Sequence, residues 1–170
     1  MFRFAASTSI ARQPSEVWAY VSDLDTLREW DPGTIEVRWK APLGVGDTIA
    51  VVANVLGPRA AGARITAYEP PRRIGWRYEP RGSRLTWAGF WLEVWYDVDK
   101  SSDGAAILSR TVECHGGGLL GAVAEPFLGW FAKRERRAEI DNVKRILESR
   151  PMDVGRQTPK DSRRVSSGSR

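Results

Sequence analysis

The chain has 170 residues, of which 42% are hydrophobic and 28% charged, a composition typical of one globular domain with a true core. Residues 150–170 carry a net +4 of the formal charge of +5, so the folded part lacks the concentrated basic face of a nucleic-acid-binding protein. One cysteine and one histidine cannot form a disulfide framework, a cysteine-based zinc site or a two-histidine iron site, and we expect no metal or cofactor.

The first fourteen residues contain no continuous apolar segment. We therefore expect no secretory signal peptide and a cytoplasmic protein. The loose alternation of residues 2–12 predicts a first strand. Gln13-Pro14-Ser15 predicts a helix start, with Ser15 or Glu16 available to the exposed amides.

Two short helices are predicted after the first strand. Asp31-Pro32-Gly33 ends the second one, because Pro32 restrains the residue before it and Gly33 tolerates positive φ. The apolar residues before this stop recur at helical spacing: Val17, Trp18, Val21, Leu24, Leu27 and Trp30.

Six strands are predicted next, over residues 34–40, 47–56, 60–69, 72–79, 85–98 and 105–115. Short turns rich in Gly and Pro separate them, so an antiparallel meander is expected. In the longest strand, one face is apolar and the other mixes rings with charges. The apolar face carries Phe90, Leu92, Val94, Tyr96 and Val98.

A long helix is predicted over residues 119–149, kinked near Pro126. Lys133–Arg137 and Glu139 are expected on its wet side. Residues 116–132 are apolar enough for interfacial docking on a membrane, although an unbroken span is disfavoured by Glu125 and Pro126. Residues 150–170 are expected to be a disordered basic tail, which leaves 1–149 as the domain.

Four segments resemble the START-like, or SRPBCC, superfamily and its polyketide cyclase/dehydrase type. They are "PSEVWAYVSDLDTLREWDPG" (14–33), "YEPPRRIGWRYE" (68–79), "DGAAILSRTVE" (103–113) and "GGGLLGAVAEPFLGWFAKRERRAEIDNVKRILE" (116–148). The resemblance implies an α+β helix-grip fold: a curved antiparallel sheet of six to seven strands wrapped around the C-terminal helix, with a cavity between them. It is specific for fold and weakly specific for function.

The inward positions of such a fold predict an apolar and aromatic ligand-binding wall. A solid core made of the same residues is the alternative. The predicted wall comprises Trp30, Trp39, Ile65, Trp76, Tyr78, Phe90, Leu92, Val94, Tyr96, Leu120, Val123, Ala124 and Phe127. Trp39 is expected to face inward together with Ile35 and Val37.

Candidate proton-transfer groups are few: Tyr78, Tyr96, Arg110 and His115. His115 precedes three glycines, which also suits an exposed turn residue. Arg110 and Glu113 have opposite phase in the last strand, so at most one faces inward, and the sequence does not decide which. An inward Arg110 needs an anionic ligand or a carboxylate partner.

Two functions follow from this set of residues. The first is binding of a small hydrophobic molecule, aromatic, polyketide- or isoprenoid-like, as a carrier or sensor. The second is a cofactor-independent cyclase/aromatase or dehydratase acting in the same cavity. The scarcity of inward acid–base residues favours the first, and two or more convergent titratable groups on the wall would favour the second. The oligomeric state cannot be deduced from the sequence.

Overall fold

The computed structural model describes residues 2–54, 58–79, 91–115 and 138–150. The predicted elements between these ranges, including residues 119–137, the Pro126 kink and the tail 151–170, lie outside the described residues. The secondary-structure elements, in chain order, are β1 (Phe2–Ile10), α1 (Pro14–Val21), a 3₁₀ turn (Leu24–Thr26), α2 (Leu27–Trp30), β2 (Thr34–Arg38), β3 (Thr48–Asn54), β4 (Pro58–Glu69), β5 (Arg73–Glu79), β6 (Trp91–Lys100), β7 (Ala106–His115) and α3 (138–149).

The seven strands form one antiparallel curved sheet in the order β1-β7-β6-β5-β4-β3-β2. Strands β2 to β7 are consecutive neighbours, so the predicted meander is confirmed. The first strand pairs with the last, and α1, α2 and α3 complete the helix-grip fold expected from the resemblance.

The two short helices begin and end where local chemistry requires it. Pro14 occupies the first turn of α1, and the Glu16 carboxylate accepts a hydrogen bond from the backbone N–H of Gln13 at 3.0 Å. At the end of α2, the Asp31 carboxylate accepts hydrogen bonds from the Gly33 N–H at 2.8 Å and the Thr34 hydroxyl at 2.6 Å. Asp31 therefore fixes the turn that leads the chain from α2 into the sheet.

The sheet has an inner face, which packs against the helices, and an outer face. The alternation predicted for the longest strand is confirmed in β6, where Val94, Tyr96 and Val98 are buried and Leu92 is half-buried. The strand positions of the inner face that are buried include Ile10, Ile49, Val51, Ala63, Ile65, Ile74, Trp76, Ala106, Leu108, Arg110 and Val112. The inner face is therefore the core of the domain.

The C-terminal end of α3 is tied to the end of β1. The Arg12 guanidinium donates from Nε to the Leu147 carbonyl at 3.0 Å, and from Nη2 to the Arg150 carbonyl. The Glu148 carboxylate accepts from the Ala11 N–H at 2.9 Å. The two bonds donated by Arg12 satisfy backbone carbonyls, which a helix leaves without partners at its C-terminal end.

Arg150 takes part in this attachment, although the sequence analysis assigns it to the tail. Its guanidinium lies 2.9 Å from the Glu29 carboxylate and 4.8 Å from the centre of the Tyr20 ring. Arg150 thus connects the C-terminal end of α3 to both α1 and α2.

The outer face carries charges and indole rings, as predicted. Arg77 lies 4.3 Å from the centre of the Trp91 ring and 2.8 Å from the Glu93 carboxylate. The neighbouring Trp95 ring lies over Gly75, where a Cβ atom would overlap Cδ1 of the indole and approach the Val94 carbonyl oxygen to 3.0 Å. The Trp95 ring therefore occupies the space that a side chain at position 75 would fill.

Replacing Gly75 by alanine is expected to lower the free energy of unfolding by about 1–3 kcal/mol, because the Trp95 ring must leave its position. Urea denaturation of the parent and the variant measures this loss. In a Trp95→Ala background the same substitution is expected to cost less. An equal cost in both backgrounds would show that Trp95 does not restrict the site.

The prediction that Ile35 faces inward is wrong. Ile35 is 43% exposed, whereas Val37 and Trp39 are half-buried. The pairing of β2 with β3 shifts between Thr34 and Glu36, and such a bulge breaks the simple alternation of faces. The assignment of Glu139 to the wet side of the helix is also wrong, because its side chain is buried.

Within the described ranges, no helix is long and apolar enough to cross a membrane. The segment 116–132, whose apolar sequence suits interfacial docking on a membrane, lies outside those ranges. The described residues also contain no cluster of three or more His, Cys, Asp or Glu side chains that could hold a metal ion.

Candidate functional site

Three aromatic rings meet at the centre of the inner face. Trp30 comes from the end of α2, Trp76 from β5 and Tyr96 from β6, and each is 1% exposed. The Trp30 ring meets Tyr96 edge-on with the centroids 5.2 Å apart, and the Trp76 ring lies 5.4 Å from Tyr96 at a tilt of 31°. These contacts form an apolar surface of large, rigid side chains.

A buried polar cluster adjoins these rings. Arg110 of β7 and Glu139 of α3 form an ion pair of 2.8 Å between Nε and Oε2. The Tyr96 hydroxyl donates to Glu139 at 3.0 Å and accepts from Arg110 Nε at 3.0 Å. Arg110 pairs directly across the sheet with Tyr96, which explains why the two side chains meet.

The choice between Arg110 and Glu113 is thereby decided by the structure. Arg110 faces inward and has a buried carboxylate partner in Glu139, one of the two alternatives expected for an inward arginine. Glu113 faces outward, where its carboxylate lies 3.5 Å from Arg3 Nε.

The environment keeps the phenols protonated at neutral pH. Burial raises the pKa of Tyr96 well above its ordinary value, while the charge of Arg110 opposes the shift and Glu139 adds to it. Burial likewise raises the pKa of Tyr78, and the negative charge of Asp31 adds to that shift. Burial by itself lowers the pKa of Arg110, but Tyr96 and Glu139 outweigh it, so the pKa is raised. The site therefore contains fixed hydrogen-bond donors and a permanent cation.

Three buried side-chain donors have no hydrogen-bond partner among the residues that the structure describes, namely Nη1 of Arg110 and Nε1 of Trp76 in this site and the hydroxyl of Thr66. The Trp76 indole is close enough to the Tyr78 hydroxyl to oppose the rise in its pKa, without reaching hydrogen-bond geometry. A buried donor left unpaired costs about 1–3 kcal/mol. An acceptor atom supplied by a bound molecule would remove that cost.

The predicted wall residues fall into three groups. Trp30, Ile65, Trp76, Val94 and Tyr96 are fully buried on the inner side, and Trp39, Tyr78 and Leu92 are half-buried. The third group lies outside the described residues: Phe90, Leu120, Val123, Ala124 and Phe127. The side chain of His115, a predicted proton-transfer group, also lies outside them. Trp39 also differs from the others in donating from its indole to the exposed Asp25 carboxylate at 2.9 Å.

Glu139 is the site residue that sequence reasoning missed. A signal for it exists in the helix, because residues 139, 143 and 147 are spaced four apart and therefore share one stripe with Val143 and Leu147. Both of those residues are buried. The stripe places the carboxylate on the side of α3 that faces the sheet.

Known structures share this fold at low sequence identity. The di-domain ARO/CYC BexL from the BE-7585A biosynthetic pathway matches with a TM-score of 0.70 and 16% identity, over 87% of this chain and 47% of BexL. This chain thus spans about half the length of BexL. Truncated norcoclaurine synthase from Thalictrum flavum matches with a TM-score of 0.65 and 14% identity, over 88% of this chain and 95% of the synthase.

A third structure, that of Ara h 8.0201, has a TM-score of 0.65 and 12% identity, and the match covers 88% of this chain and 99% of the other. No curated protein matches the sequence. The family model described as "Polyketide cyclase / dehydrase and lipid transport" matches residues 1–148 of the 170. The chain belongs to this polyketide cyclase/dehydrase and lipid transport family.

Proposed function

We propose that the protein binds a small hydrophobic molecule, aromatic, polyketide- or isoprenoid-like, between the inner face of the sheet and the C-terminal helix, and acts as a carrier or sensor. The observation that carries this proposal is the apolar surface of Trp30, Trp76 and Tyr96 beside buried donors that lack a partner in the described part of the chain. Apolar walls with a few fixed polar groups are typical of small-molecule sites. Membership of the family supports the same proposal.

A catalytic role as a cyclase/aromatase or dehydratase is the second candidate. It is favoured by the convergence of Tyr96, Arg110 and Glu139, three titratable groups within hydrogen-bond distance of one another. Effective acid–base catalysis needs a group whose pKa lies near the working pH. Tyr96 and Arg110 hold their protons, and the Glu139 carboxylate is bound to both of them. Binding therefore remains the first candidate.

An uncharged dye such as N-phenyl-1-naphthylamine is expected to bind the protein, with increased fluorescence in an apolar site. Replacing Val94 by tryptophan is expected to weaken that binding about tenfold. The added ring would exclude about 60 Å² of dye surface from burial, which corresponds to about 1.5 kcal/mol. Val94 is suited to this test because it is buried on the inner face and lies directly across from Trp76.

The matched control is Ser7→Trp, which adds the same ring at an exposed outward position of β1. It is expected to bind the dye as the parent does. Overpacking at Val94 costs roughly 1–3 kcal/mol, so thermal unfolding must first show that the variant is folded. Undiminished dye binding by folded Val94→Trp would refute the proposed location. Native mass spectrometry of protein purified from its own host would then give the mass of a retained ligand.

A further inference from the structure

Within the buried polar cluster, the charges of Arg110 and Glu139 cancel each other, and this affects which ligands the site can bind. The side chains of Arg110 and Glu139 are 10% and 9% exposed, and their charged atoms lie 2.8 Å apart. Asp31, half-buried at the end of α2, adds negative potential that acts on Arg110, Tyr78 and Tyr96. The positive charge of Arg110 is thus already balanced before any ligand arrives.

The guanidinium nevertheless retains donor capacity. Its Nε atom donates to the Tyr96 hydroxyl and lies 2.8 Å from the Glu139 carboxylate, whereas Nη1 is buried and has no hydrogen-bond partner in the described ranges. The Trp76 indole on the neighbouring side of Tyr96 adds a second buried N–H without a partner there. Among the described residues, the site thus offers hydrogen-bond donors without a net positive charge.

We infer that Glu139 makes the site selective for hydrophobic ligands that carry an uncharged oxygen acceptor, such as a ketone or quinone carbonyl, over hydrophobic carboxylates. This inference rests on the proposed ligand site. A carbonyl oxygen accepts from Arg110 Nη1 and brings no charge with it. A carboxylate makes the same hydrogen bond but places a second negative charge near Glu139 and Asp31, in surroundings where charge is weakly screened.

Three probes of nearly equal shape separate the contributions of oxygen and charge: 2-acetylnaphthalene, 2-naphthoate and 2-ethylnaphthalene. Their affinities are measured by displacement of N-phenyl-1-naphthylamine. The parent protein is expected to bind the ketone about tenfold more tightly than either the carboxylate or the hydrocarbon. Equal binding of ketone and carboxylate, or of ketone and hydrocarbon, overturns the inference.

The deciding variant is Glu139→Gln, which keeps a side chain of the same shape and leaves the charge of Arg110 uncompensated. Its preference is expected to reverse, so that naphthoate binds at least as tightly as the ketone and raises the melting temperature of the variant. Glu29→Gln, at an exposed ion pair with Arg150, is the matched control and is expected to keep the parental preference. An unchanged preference in Glu139→Gln overturns the assignment to Glu139.

A second variant covers the case in which Glu139→Gln fails to fold. Arg110→Met combined with Glu139→Met removes both charges together, which proteins usually tolerate. Its preference for the ketone over the hydrocarbon is expected to shrink, because the Arg110 donor is lost while the Trp76 indole remains, and an undiminished ketone preference overturns the inference. If neither the dye nor any probe binds the parent protein, the proposed function itself fails. If the dye and the hydrocarbon bind but the ketone has no advantage, only the selectivity is refuted.

Discussion

Replacing Glu139 by alanine is expected to lower the free energy of unfolding by about 3–5 kcal/mol, since removing one partner of a buried ion pair strands the other charge. The stranded group is the Arg110 guanidinium, which is buried beneath α3 and cannot lose its proton. The Tyr96 hydroxyl would also lose its acceptor. Equilibrium unfolding in urea, with the midpoint and slope both fitted, measures the loss.

Glu29→Ala provides the control, since Glu29 forms an exposed ion pair with Arg150. The exposed pair contributes about 0–1 kcal/mol and the hydrogen bond that Glu29 accepts from the Tyr20 hydroxyl about 1 kcal/mol, so this variant is expected to lose at most about 2 kcal/mol. The double replacement of Arg110 and Glu139 by methionine is expected to recover most of the stability lost in Glu139→Ala. If Glu139→Ala costs no more than Glu29→Ala, the ion pair does not lie in a buried environment.

Trp30 and Trp39, which lie on either side of the turn and strand β2, are expected to differ sharply in their contribution to stability. Trp30→Ala is expected to cost about 3–5 kcal/mol, because a fully buried ring leaves a large cavity. The Trp30 ring also contacts Tyr96 edge-on, and the Trp30 backbone carbonyl accepts a hydrogen bond from the Asn142 side chain of α3 at 3.2 Å. Trp30 therefore joins α2, the sheet and the C-terminal helix.

Trp39→Ala is the natural comparison, because it deletes the same side chain nine residues later. Trp39 is half-buried, and its indole donates to an exposed carboxylate, so a loss of about 1–2 kcal/mol is expected. Thermal and urea unfolding of both variants measure the difference. Equal losses would contradict the burial that distinguishes the two rings.

Most of the fold could be predicted because the strands are long and regular. In β6 the alternation of Val94, Tyr96 and Val98 with polar or half-buried neighbours specifies which face is dry, and Gly- and Pro-rich turns mark where each strand ends. The helix start at Pro14 and the stop at Asp31 depend on local chemistry, which the sequence displays directly. The exposure of Ile35 was not predictable, because a bulge depends on pairing with β3.

The polar part of the candidate site could be predicted only in outline. The sequence predicts that an inward Arg110 needs an anionic partner, but that partner, Glu139, lies 29 residues later on a separate element. The four-residue spacing of Glu139, Val143 and Leu147 indicates that the carboxylate shares the apolar stripe of α3, but which strand position it meets is decided by packing across the whole domain. The rings Trp30, Trp76 and Tyr96 were predictable as inward residues, whereas their convergence on one polar cluster required the tertiary structure.

The pairing of the first strand with the last has a kinetic consequence. Thr8 pairs with Leu108, one hundred residues later, and β7 is the one neighbour of β1 among the strands that the structure describes. At a synthesis rate of about 5–20 residues per second, the ribosome needs on the order of 5–20 s to make the intervening chain. During that interval β1 has no strand to pair with, while β2 to β5 can assemble as successive hairpins. Closure of the sheet through β7 is thus a late event of high contact order in the folding of this domain.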